Sequence, residues 1–257
     1  MQHVPRKRFG QHFLHDPRII AKILLAISPK PGELLVEIGP GLGAITLPLL
    51  EKAGRLTAVE LDRDVIPHLQ DAARGRGELE VIQADALETS LAPLAPSGGR
   101  LRLVGNLPYN VSTPLLFHFL EQADCVQDMH FMLQKEVVRR MAAKPGGKEY
   151  GRLTVMLAAR CKVEPLFNIG PGAFRPPPKV DSAFVRLVPY VTAPFTIRAH
   201  RRFAQIVTKA FSHRRKTLKN ALAGLVDETV IVSVGIDPKT RPETLSAEDY
   251  AQLSNAG

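Results

Sequence analysis

The stretch from Glu33 to Leu50 constrains the fold of this chain more than any other part of the sequence. A compact apolar segment, residues 33–38, runs directly into Gly39-Pro40-Gly41-Leu42-Gly43, and residues 44–50 follow with the apolar spacing of a helix. A strand, a glycine turn and a helix in this order are typical of nucleotide-binding α/β folds, where glycine lets a ligand approach the backbone closely. The spacing is G-x-G-x-G and an acid, Glu37, precedes it, so the pyrophosphate fingerprint G-x-G-x-x-G is absent from this turn.

Acids accompany the ends of the next two predicted strands. Residues 55–61 form an apolar segment that contains Glu60, about 20 residues after the glycine turn, where a carboxylate can accept hydrogen bonds from ribose hydroxyls. Residues 79–84 form another strand, and Asp85 follows it. A carboxylate there could accept from the exocyclic amine of an adenine. Surface or capping roles are the alternative for each acid, but two of them after a glycine turn favour a nucleoside-bearing cofactor.

Residues 101–116, LRLVGNLPYNVSTPLL, end a further predicted strand in a polar motif, and a helix is expected to follow with Ser112 or Thr113 as its cap. The motif Asn106-Leu107-Pro108-Tyr109 therefore lies where open α/β sheets bind ligands. The Asn106 side-chain oxygen and the Leu107 carbonyl, which Pro108 stiffens, are acceptors, and Tyr109 offers a face for stacking. Two acceptors and a ring suit a planar base with an exocyclic amine, such as adenine. Taken alone, these four residues fit an ordinary turn equally well.

The segment Gly170 to Ser182, GPGAFRPPPKVDS, is too rich in proline for a helix and is expected to be a rigid loop. This loop would present Phe174 beside Arg175 and Lys179. The ring is either a functional group at the site or a hydrophobic plug, and the sequence leaves both open.

The charge of the chain points to a polyanionic partner. Its 257 residues carry 34 Lys and Arg against 25 Asp and Glu, a net charge of +9. This favours nucleic acid first and a membrane surface second. From Arg198 to Lys219 there is no acid, while Phe203, Ile206 and Val207 recur at helical spacing, so an apolar stripe is expected to pack beneath a solvated basic face. We therefore expect a domain at residues 1–192 and a helical, basic domain at residues 193–257.

Several further features bound the function class. The mean hydropathy is −0.03 and no apolar run approaches a membrane span, so we expect a soluble protein without a membrane partner. The N-terminal segment has charge but no apolar core, which argues against a secretory signal. Cys125 and Cys161 fit no metal or redox spacing and are expected to be core thiols in a reducing cytoplasm, with no metal bound.

Between Arg6 and Asn220 the chain carries, in order, the blocks RKRFGQHFL, EIGPGLG, VELD, QADAL, GNLPYNVSTPLL, QKEVVRRMAAKPGGKEYGRL, FRPPPKVDSAFVRL and FSHRRKTLKN. In these blocks it resembles the small-subunit ribosomal RNA adenine dimethyltransferases. The resemblance implies a Rossmann-like domain that uses S-adenosylmethionine, releases S-adenosylhomocysteine and is followed by a small helical domain. It also implies dimethylation of two adjacent adenines in a hairpin near the 3′ end of small-subunit rRNA. The partner is expected to be this rRNA or an assembling small subunit in the cytoplasm, and nothing in the sequence demands more than a monomer.

The resemblance also assigns roles to individual positions. It places His12 and Leu14 beside the methionine end of the cofactor and Gly39 and Gly41 at the cofactor backbone. Glu60 would accept from the ribose, Asp85 from the adenine amine, and Asn106 would lie at the point of methyl transfer. The target adenine would be flipped out and held between Tyr109 and Phe174, oriented by Asn106 and the Leu107-Pro108 backbone. The RNA-binding residues would be Arg6, Lys7, Arg8, Arg214, Arg215, Lys216 and Lys219.

One position departs from the family pattern. The family usually has Asn where this chain has His12, in QHFL. Histidine can still donate one hydrogen bond, so we expect cofactor binding to survive with a contact that depends on pH.

Three alternatives stay open at this stage. A large-subunit rRNA adenine methyltransferase of the antibiotic-resistance type shares the glycine turn and the N-x-P-Y motif. A non-catalytic ribosome-assembly factor would keep the basic surface and lose the need for Glu60 and Asp85. A nicotinamide dehydrogenase is disfavoured by the glycine spacing and by Asn106-Leu107-Pro108-Tyr109.

Overall fold

The computed structural model describes residues 12–96, 98–213 and 215–256. They form two compact units. The first takes in the described residues up to Val138 together with Glu164–Pro189, and the second takes in Arg139–Val163 and the described residues from Tyr190 onward. This division differs from the expected boundary after residue 192 mainly in giving residues 139–163 to the second unit.

The strands include those predicted around each motif, and two short ones that the sequence did not indicate. Most of the long strands are rich in apolar and β-branched residues, while residues 78–83 alternate polar and apolar ones. In chain order the strands are β1 (Phe13–Leu14), β2 (Leu34–Ile38), β3 (Arg55–Glu60), β4 (Glu78–Gln83), β5 (Leu101–Asn106), β6 (Val126–Gln134), β7 (Cys161–Ile169), β8 (Phe174–Arg175) and β9 (Ser182–Pro189).

The helices begin at recognisable start signals in several cases. Asp16 caps the first helix by accepting from the Arg18 backbone N–H at 2.9 Å, and Pro17 occupies its first turn. Ser246 and Asp249 form a capping box at the last one. In chain order the helices are α1 (Pro17–Ile27), α2 (Thr46–Ala53), α3 (Ile66–Ala73), α4 (Ser112–Glu121), α5 (Lys135–Met141), α6 (Arg152–Ala158), α7 (His200–Ser212), α8 (Leu218–Leu222), α9 (Glu228–Ser233) and α10 (Ala247–Asn255).

The main sheet has seven strands in the order β4-β3-β2-β5-β6-β9-β7. Strands β4, β3, β2, β5 and β6 pair in parallel, and β9 is antiparallel to β6. The chain moves outward from β2 to β4 on one side and then from β5 on the other, so the order reverses between β2 and β5. Open α/β sheets bind ligands at the carboxyl ends of the strands at such a reversal. The predicted α/β fold is confirmed, and its sheet is mostly parallel.

Strands β2 and β5 approach each other closely where they reach this edge. Ile38, the last residue of β2, lies opposite Gly105 of β5. A Cβ atom at Gly105 would lie 2.4 Å from the Ile38 carbonyl oxygen, a distance that no side chain tolerates. At the opposite end of β5, Arg102 is buried and donates to Asp128 of β6, to Glu33 and to the Ile27 carbonyl of α1. Glycine at one end and a satisfied buried ion pair at the other therefore position β5.

The second unit has its own core, built around α7. Phe203, Ile206, Val207 and Ala210 are buried, as the helical spacing of these residues predicted. Tyr250 of α10 packs in the same cluster, and its hydroxyl donates to the Pro242 carbonyl at 2.8 Å. Among the helices of the described residues, none combines the length and apolar character needed to cross a membrane.

Candidate active site

The glycine turn and the Asn106-Leu107-Pro108-Tyr109 motif meet at the carboxyl ends of β2 and β5. The turn follows Ile38 and the motif starts at Asn106, and both strands end at the same edge because they are parallel. A Cβ atom at Gly39 would lie 4.0 Å from the Asn106 carbonyl oxygen. The structure therefore brings together two motifs that are more than sixty residues apart in sequence.

The glycine turn uses backbone conformations that favour glycine. Gly39 has φ = 67° and Gly41 has φ = 55°, in the left-handed region. A Cβ atom at Gly41 would also lie 3.1 Å from the Phe13 ring. A side chain at either position would be strained, and at Gly41 it would also meet the Phe13 ring, so glycine keeps the turn tight.

Glu60, at the end of β3, supports the glycine turn from the neighbouring strand. Its Oε2 accepts from the Gly41 backbone N–H at 3.1 Å and its Oε1 from the Asp62 backbone N–H at 2.8 Å. The side chain is 7% exposed, and burial raises the pKa of this carboxyl while the two N–H groups oppose the increase. Each carboxylate oxygen can accept a second hydrogen bond, so Glu60 keeps capacity for a pair of hydroxyls.

Asp85 is half-buried just after β4. Its Oδ1 accepts from the Leu87 backbone N–H at 2.9 Å, which forms a local turn, and its backbone carbonyl accepts from the Thr89 hydroxyl at 2.8 Å. Within the described ranges, Oδ2 has no hydrogen-bond partner. The structure therefore holds this carboxylate by one oxygen and leaves the other as an acceptor.

Asn106 ends β5, and its side chain is oriented by the segment that precedes β1. Its Nδ2 donates to the His12 carbonyl at 3.1 Å, so Oδ1 is left as the acceptor of this amide. The Leu107 backbone N–H donates to the Met132 carbonyl at 3.2 Å, which ties the motif to β6. Among the described residues, nothing donates to the Leu107 carbonyl. Two acceptors at the start of the motif, as the sequence predicted, are thus unoccupied by the fold itself.

Tyr109 is half-buried and anchored at both ends. Its hydroxyl is 2.7 Å from the Ser182 Oγ, and its backbone carbonyl accepts from the Ser112 hydroxyl at 3.2 Å. Burial raises the pKa of the Tyr109 phenol, so it stays protonated. The His12 ring stacks on it, with centroids 5.9 Å apart and planes inclined by 27°. Ser112 or Thr113 was expected as the helix cap; instead Val111 is the cap residue of α4, and the Ser112 hydroxyl donates to the Tyr109 carbonyl.

The expected role of Phe174 does not fit this structure. Its ring is 2% exposed and packs in the core of the first unit, so it offers no face to a substrate base. The cause is the pairing of β8 with β1, in which Leu14 lies opposite Phe174 and both side chains enter that core. Of the two possibilities that the sequence left open, the structure favours the hydrophobic plug. Because the Leu14 side chain is also buried, only its backbone is placed to contact a ligand.

His12 lies at the edge of this β1–β8 pair. Its Nδ1 is 2.7 Å from the Pro176 carbonyl, and since a carbonyl oxygen only accepts, Nδ1 carries the proton of this bond. His12 therefore uses its backbone carbonyl on Asn106, its ring face on Tyr109 and its ring nitrogen on the proline loop. The segment from residue 12 to 14 is thereby fixed over the Asn106 motif.

The basic residues predicted to bind RNA are only partly described. Arg6, Lys7, Arg8 and Arg214 lie outside the described residues. Arg215 and Lys216 are exposed, between α7 and α8. Lys219 is half-buried, and its Nζ lies 3.4 Å from the Glu228 carboxylate, so part of its charge is neutralised. Arg215, Lys216 and Lys219 belong to the second unit.

Sequence reasoning missed three residues of this region. Ser182 bonds Tyr109 from 73 residues away, and its only sequence signal was its place in the PPPKVDS block. Glu37 is buried beneath the glycine turn, where its pKa is raised. Leu61 follows Glu60 and is 51% exposed at the same edge, an apolar surface beside a carboxylate. In the described part of the chain, no group of His, Cys, Asp or Glu side chains is arranged to hold a metal ion.

Comparison with solved structures defines the class of protein. A dimethyladenosine transferase from Plasmodium falciparum superposes with a TM-score of 0.82 at 27% identity, over 94% of this chain and 96% of that one. The 23S rRNA methyltransferase ErmE gives a TM-score of 0.73 at 25% identity, over 95% of this chain and 98% of that one. Together with the sheet order and the glycine turn, these similarities define a Rossmann-like, S-adenosylmethionine-dependent methyltransferase fold, as expected.

Sequence comparison then identifies the family. The profile of the family described as "Ribosomal RNA adenine dimethylase" matches residues 2–256, so the chain belongs to the ribosomal RNA adenine dimethylase family. The Ribosomal RNA small subunit methyltransferase A of Nitrosococcus oceani is 54% identical over 252 residues, which cover 98% of this chain and 96% of the relative. The predicted family is thus confirmed.

Proposed function

We propose that this protein transfers methyl groups from S-adenosylmethionine to the exocyclic amines of two adjacent adenines in a hairpin near the 3′ end of small-subunit rRNA. The observation that carries the proposal is the Asn106 side chain. It stands at the reversal of strand order with its amide nitrogen engaged by His12 and its oxygen left as an acceptor. Identity of 54% to a relative named for the small subunit supports the choice of this rRNA.

The residues around the glycine turn fit the nucleoside part of the cofactor. Glu60 has acceptor capacity left on both oxygens, which suits the two ribose hydroxyls. Asp85 keeps Oδ2 for the adenine amine, and the exposed Leu61 side chain gives the base an apolar surface. Gly39 and Gly41 let the cofactor approach the backbone, and the neighbouring His12 segment covers its methionine end.

The substrate amine is oriented by the acceptors of the Asn106-Leu107-Pro108-Tyr109 motif. Asn106 Oδ1 and the Leu107 carbonyl would accept from the two N–H groups of a flipped adenine, and the Tyr109 ring would support the base by stacking. Hydrogen bonds from both N–H groups fix the orientation of the amine, so that its lone pair, which is perpendicular to the base, can face the methyl group of the cofactor. When bound, S-adenosylmethionine supplies a methyl group activated by its sulfonium and leaves as S-adenosylhomocysteine.

The chain contributes mainly positioning and electrostatic stabilisation. Positive charge develops on the amine as it is methylated, and the oxygens of Asn106 and Leu107 stabilise that charge without taking the proton. The Tyr109 phenol stays protonated because burial raises its pKa, so it is not a base. Once methylated, the amine is acidic enough to lose its proton to water.

Basic residues of the second unit would contact the RNA backbone. Arg215 and Lys216 are exposed, and we propose that they act with Arg214, Lys219 and the N-terminal Arg6, Lys7 and Arg8. Phosphate contacts of this kind add affinity without base specificity and weaken with salt. A net charge of +9 supports this assignment.

Asn106→Ala tests the site assignment. We expect methyl transfer to fall by at least about 100-fold, because an aligned acceptor is lost at the reacting nitrogen, while cofactor affinity changes only a few-fold. Methyl transfer is measured with labelled S-adenosylmethionine and unmethylated small subunits, and cofactor affinity by calorimetry.

Asn168→Ala is the matched control, since Asn168 is exposed on β7. It should retain wild-type turnover. Unchanged turnover in Asn106→Ala, or equal losses in both variants, would remove Asn106 from the proposed role.

A further inference from the structure

Ser182 is the residue that fixes the outer end of the Tyr109 ring. Its Oγ lies 2.7 Å from the Tyr109 hydroxyl, and the serine is 0% exposed. Water therefore does not reach the serine side of this bond. If either hydroxyl is removed, the other is left buried or half-buried without its partner, which costs more than the bond itself contributes.

The position of Ser182 is itself rigid. As the first residue of β9 it lies opposite Gln134 of β6. The residue before it, Asp181, accepts from the Lys135 backbone N–H at 2.9 Å and from the Lys135 ammonium at 3.0 Å. The Ser182 hydroxyl is therefore a fixed point on the sheet, at the same edge as the Asn106 motif.

The Asn106-Leu107-Pro108-Tyr109 motif is also bonded to β6 near its first residue. The Leu107 backbone N–H donates to the Met132 carbonyl of β6. The hydrogen bond to Ser182 holds the outer end of the Tyr109 ring and so restricts χ1. The hydroxyl lies on the χ2 axis, so this bond sets where the ring lies, while the stacked His12 ring sets its tilt. The proposed function uses the face of Tyr109 that points away from His12.

We propose that Ser182 is a positioning residue for methyl transfer: its hydroxyl holds the outer end of the Tyr109 ring in the place from which the ring stacks on the target base. The inference rests on the proposed function, because it assumes that Tyr109 supports an adenine. It adds a residue from the PPPKVDS block to the reaction and gives that block a role beyond closing the sheet. Ser182 does not touch the substrate and acts through Tyr109 alone.

A double-mutant cycle tests this inference on the full chain. Ser182→Ala and Tyr109→Phe delete the same bond from opposite sides, so each should raise the KM for unmethylated small subunits and lower kcat/KM by about threefold to tenfold. The loss of kcat/KM in the double variant should be no greater than in the more impaired of the two single variants, because both effects arise from one bond. The dissociation constant of S-adenosylmethionine should stay within twofold of wild type in all three.

Matched controls separate positioning from general packing. Ser254→Ala and Tyr150→Phe each delete a buried hydroxyl hydrogen bond in the second unit, to Ala251 and Leu245 respectively. Both should keep wild-type kcat and KM even where they lower the free energy of unfolding. If Ser182→Ala behaves like these controls, with only stability changed, the inference is overturned.

The remaining outcomes are equally decisive. If kcat/KM losses of Ser182→Ala and Tyr109→Phe multiply in the double variant, the two hydroxyls act independently and the inference is overturned. If Ser182→Ala does not fold, Tyr109→Phe alone must still raise KM, and wild-type kinetics there overturn it. If the wild-type protein methylates no rRNA, the proposed function fails first and the inference with it. If the wild-type enzyme is active and Ser182→Ala is equally active, the inference fails while the proposed function stands.

Discussion

Glu37 is a buried carboxyl group beside the site. It is 2% exposed on β2, directly before the glycine turn, and in the described part of the chain its Oε2 makes no hydrogen bond. Burial raises its pKa to about 7; the nearby Thr46 hydroxyl lowers it and the Glu60 carboxylate raises it further. A buried carboxylate without a full set of partners reduces stability, and such costs concentrate at functional sites.

The pH dependence of stability should reveal this cost. The pKa of Glu37 is about 7 in the folded chain against 4.5 as its ordinary value, so between these values the folded state binds more protons. Stability from Glu37 is therefore highest below about pH 4.5 and declines as pH rises to about 7. Glu37→Gln removes this titration. The free energy of unfolding of the variant minus that of wild type should therefore be about 2 kcal/mol larger at pH 8 than at pH 5.

Urea denaturation of both proteins at the two pH values measures this difference. Glu78→Gln is the control, because Glu78 is exposed at the start of β4 and should show no such trend. An offset between Glu37→Gln and wild type that is the same at pH 5 and pH 8 would mean that Glu37 titrates normally.

At the scale of elements, the contact between β2 and β5 decides whether the site forms. Gly105 sits opposite Ile38, and any Cβ atom there would meet the Ile38 carbonyl at 2.4 Å. The obstacle is backbone, which cannot move aside as a flexible side chain would. The two strands would have to separate at the edge that carries both motifs.

Gly105→Ala should therefore lower the free energy of unfolding by about 1–3 kcal/mol and reduce methyl transfer more than stability alone explains, because Asn106 follows directly. Gly151→Ala is the matched control: Gly151 is extended at φ = −172°, and a Cβ atom there has open space. Thermal unfolding and initial rates measure both effects. A Gly105→Ala protein with wild-type stability and rate would show that β2 and β5 can separate enough at this point to admit a Cβ atom.

The long elements were predictable because their patterns are local. Apolar residues followed by a glycine or an acid predicted the strands near the glycine turn, Glu60 and Asp85. Helical apolar spacing predicted α7. The pair of β1 and β8 was not, since two-residue strands carry no periodicity. That pair accounts for the misplaced Phe174, whose burial depends on a partner 160 residues earlier in the chain.

The hydrogen bonds of the site were also hard to predict, because their partners are distant in sequence. Asn106 and Tyr109 could be chosen from their chemistry and their place after a strand. Their orienting partners, His12 and Ser182, are 94 and 73 residues away. The pairing of β1 with β8 brings in His12, and the pairing of β9 with β6 brings in Ser182. The expected helix cap at Ser112 failed for a different reason: its hydroxyl donates to the Tyr109 carbonyl three residues earlier, so another local hydrogen bond took the place of the cap.

At the scale of the whole molecule, chemistry and basic charge are found in different units. The site residues that the structure describes all belong to the first unit, and the exposed Arg215 and Lys216 belong to the second. Each unit has a separate hydrophobic core. This division matches a function in which one part performs methyl transfer and the other adds affinity for a long polyanion.

The most direct test of this account is methyl transfer from labelled S-adenosylmethionine to unmethylated small ribosomal subunits and, in parallel, to large-subunit rRNA, with mass spectrometry of the nucleosides. The account predicts dimethyladenosine from the small subunit only, at two adjacent positions. Label in large-subunit rRNA would assign the chain to the same reaction on the other substrate, and cofactor binding without any transfer would indicate an assembly factor. Either result would contradict the function proposed here.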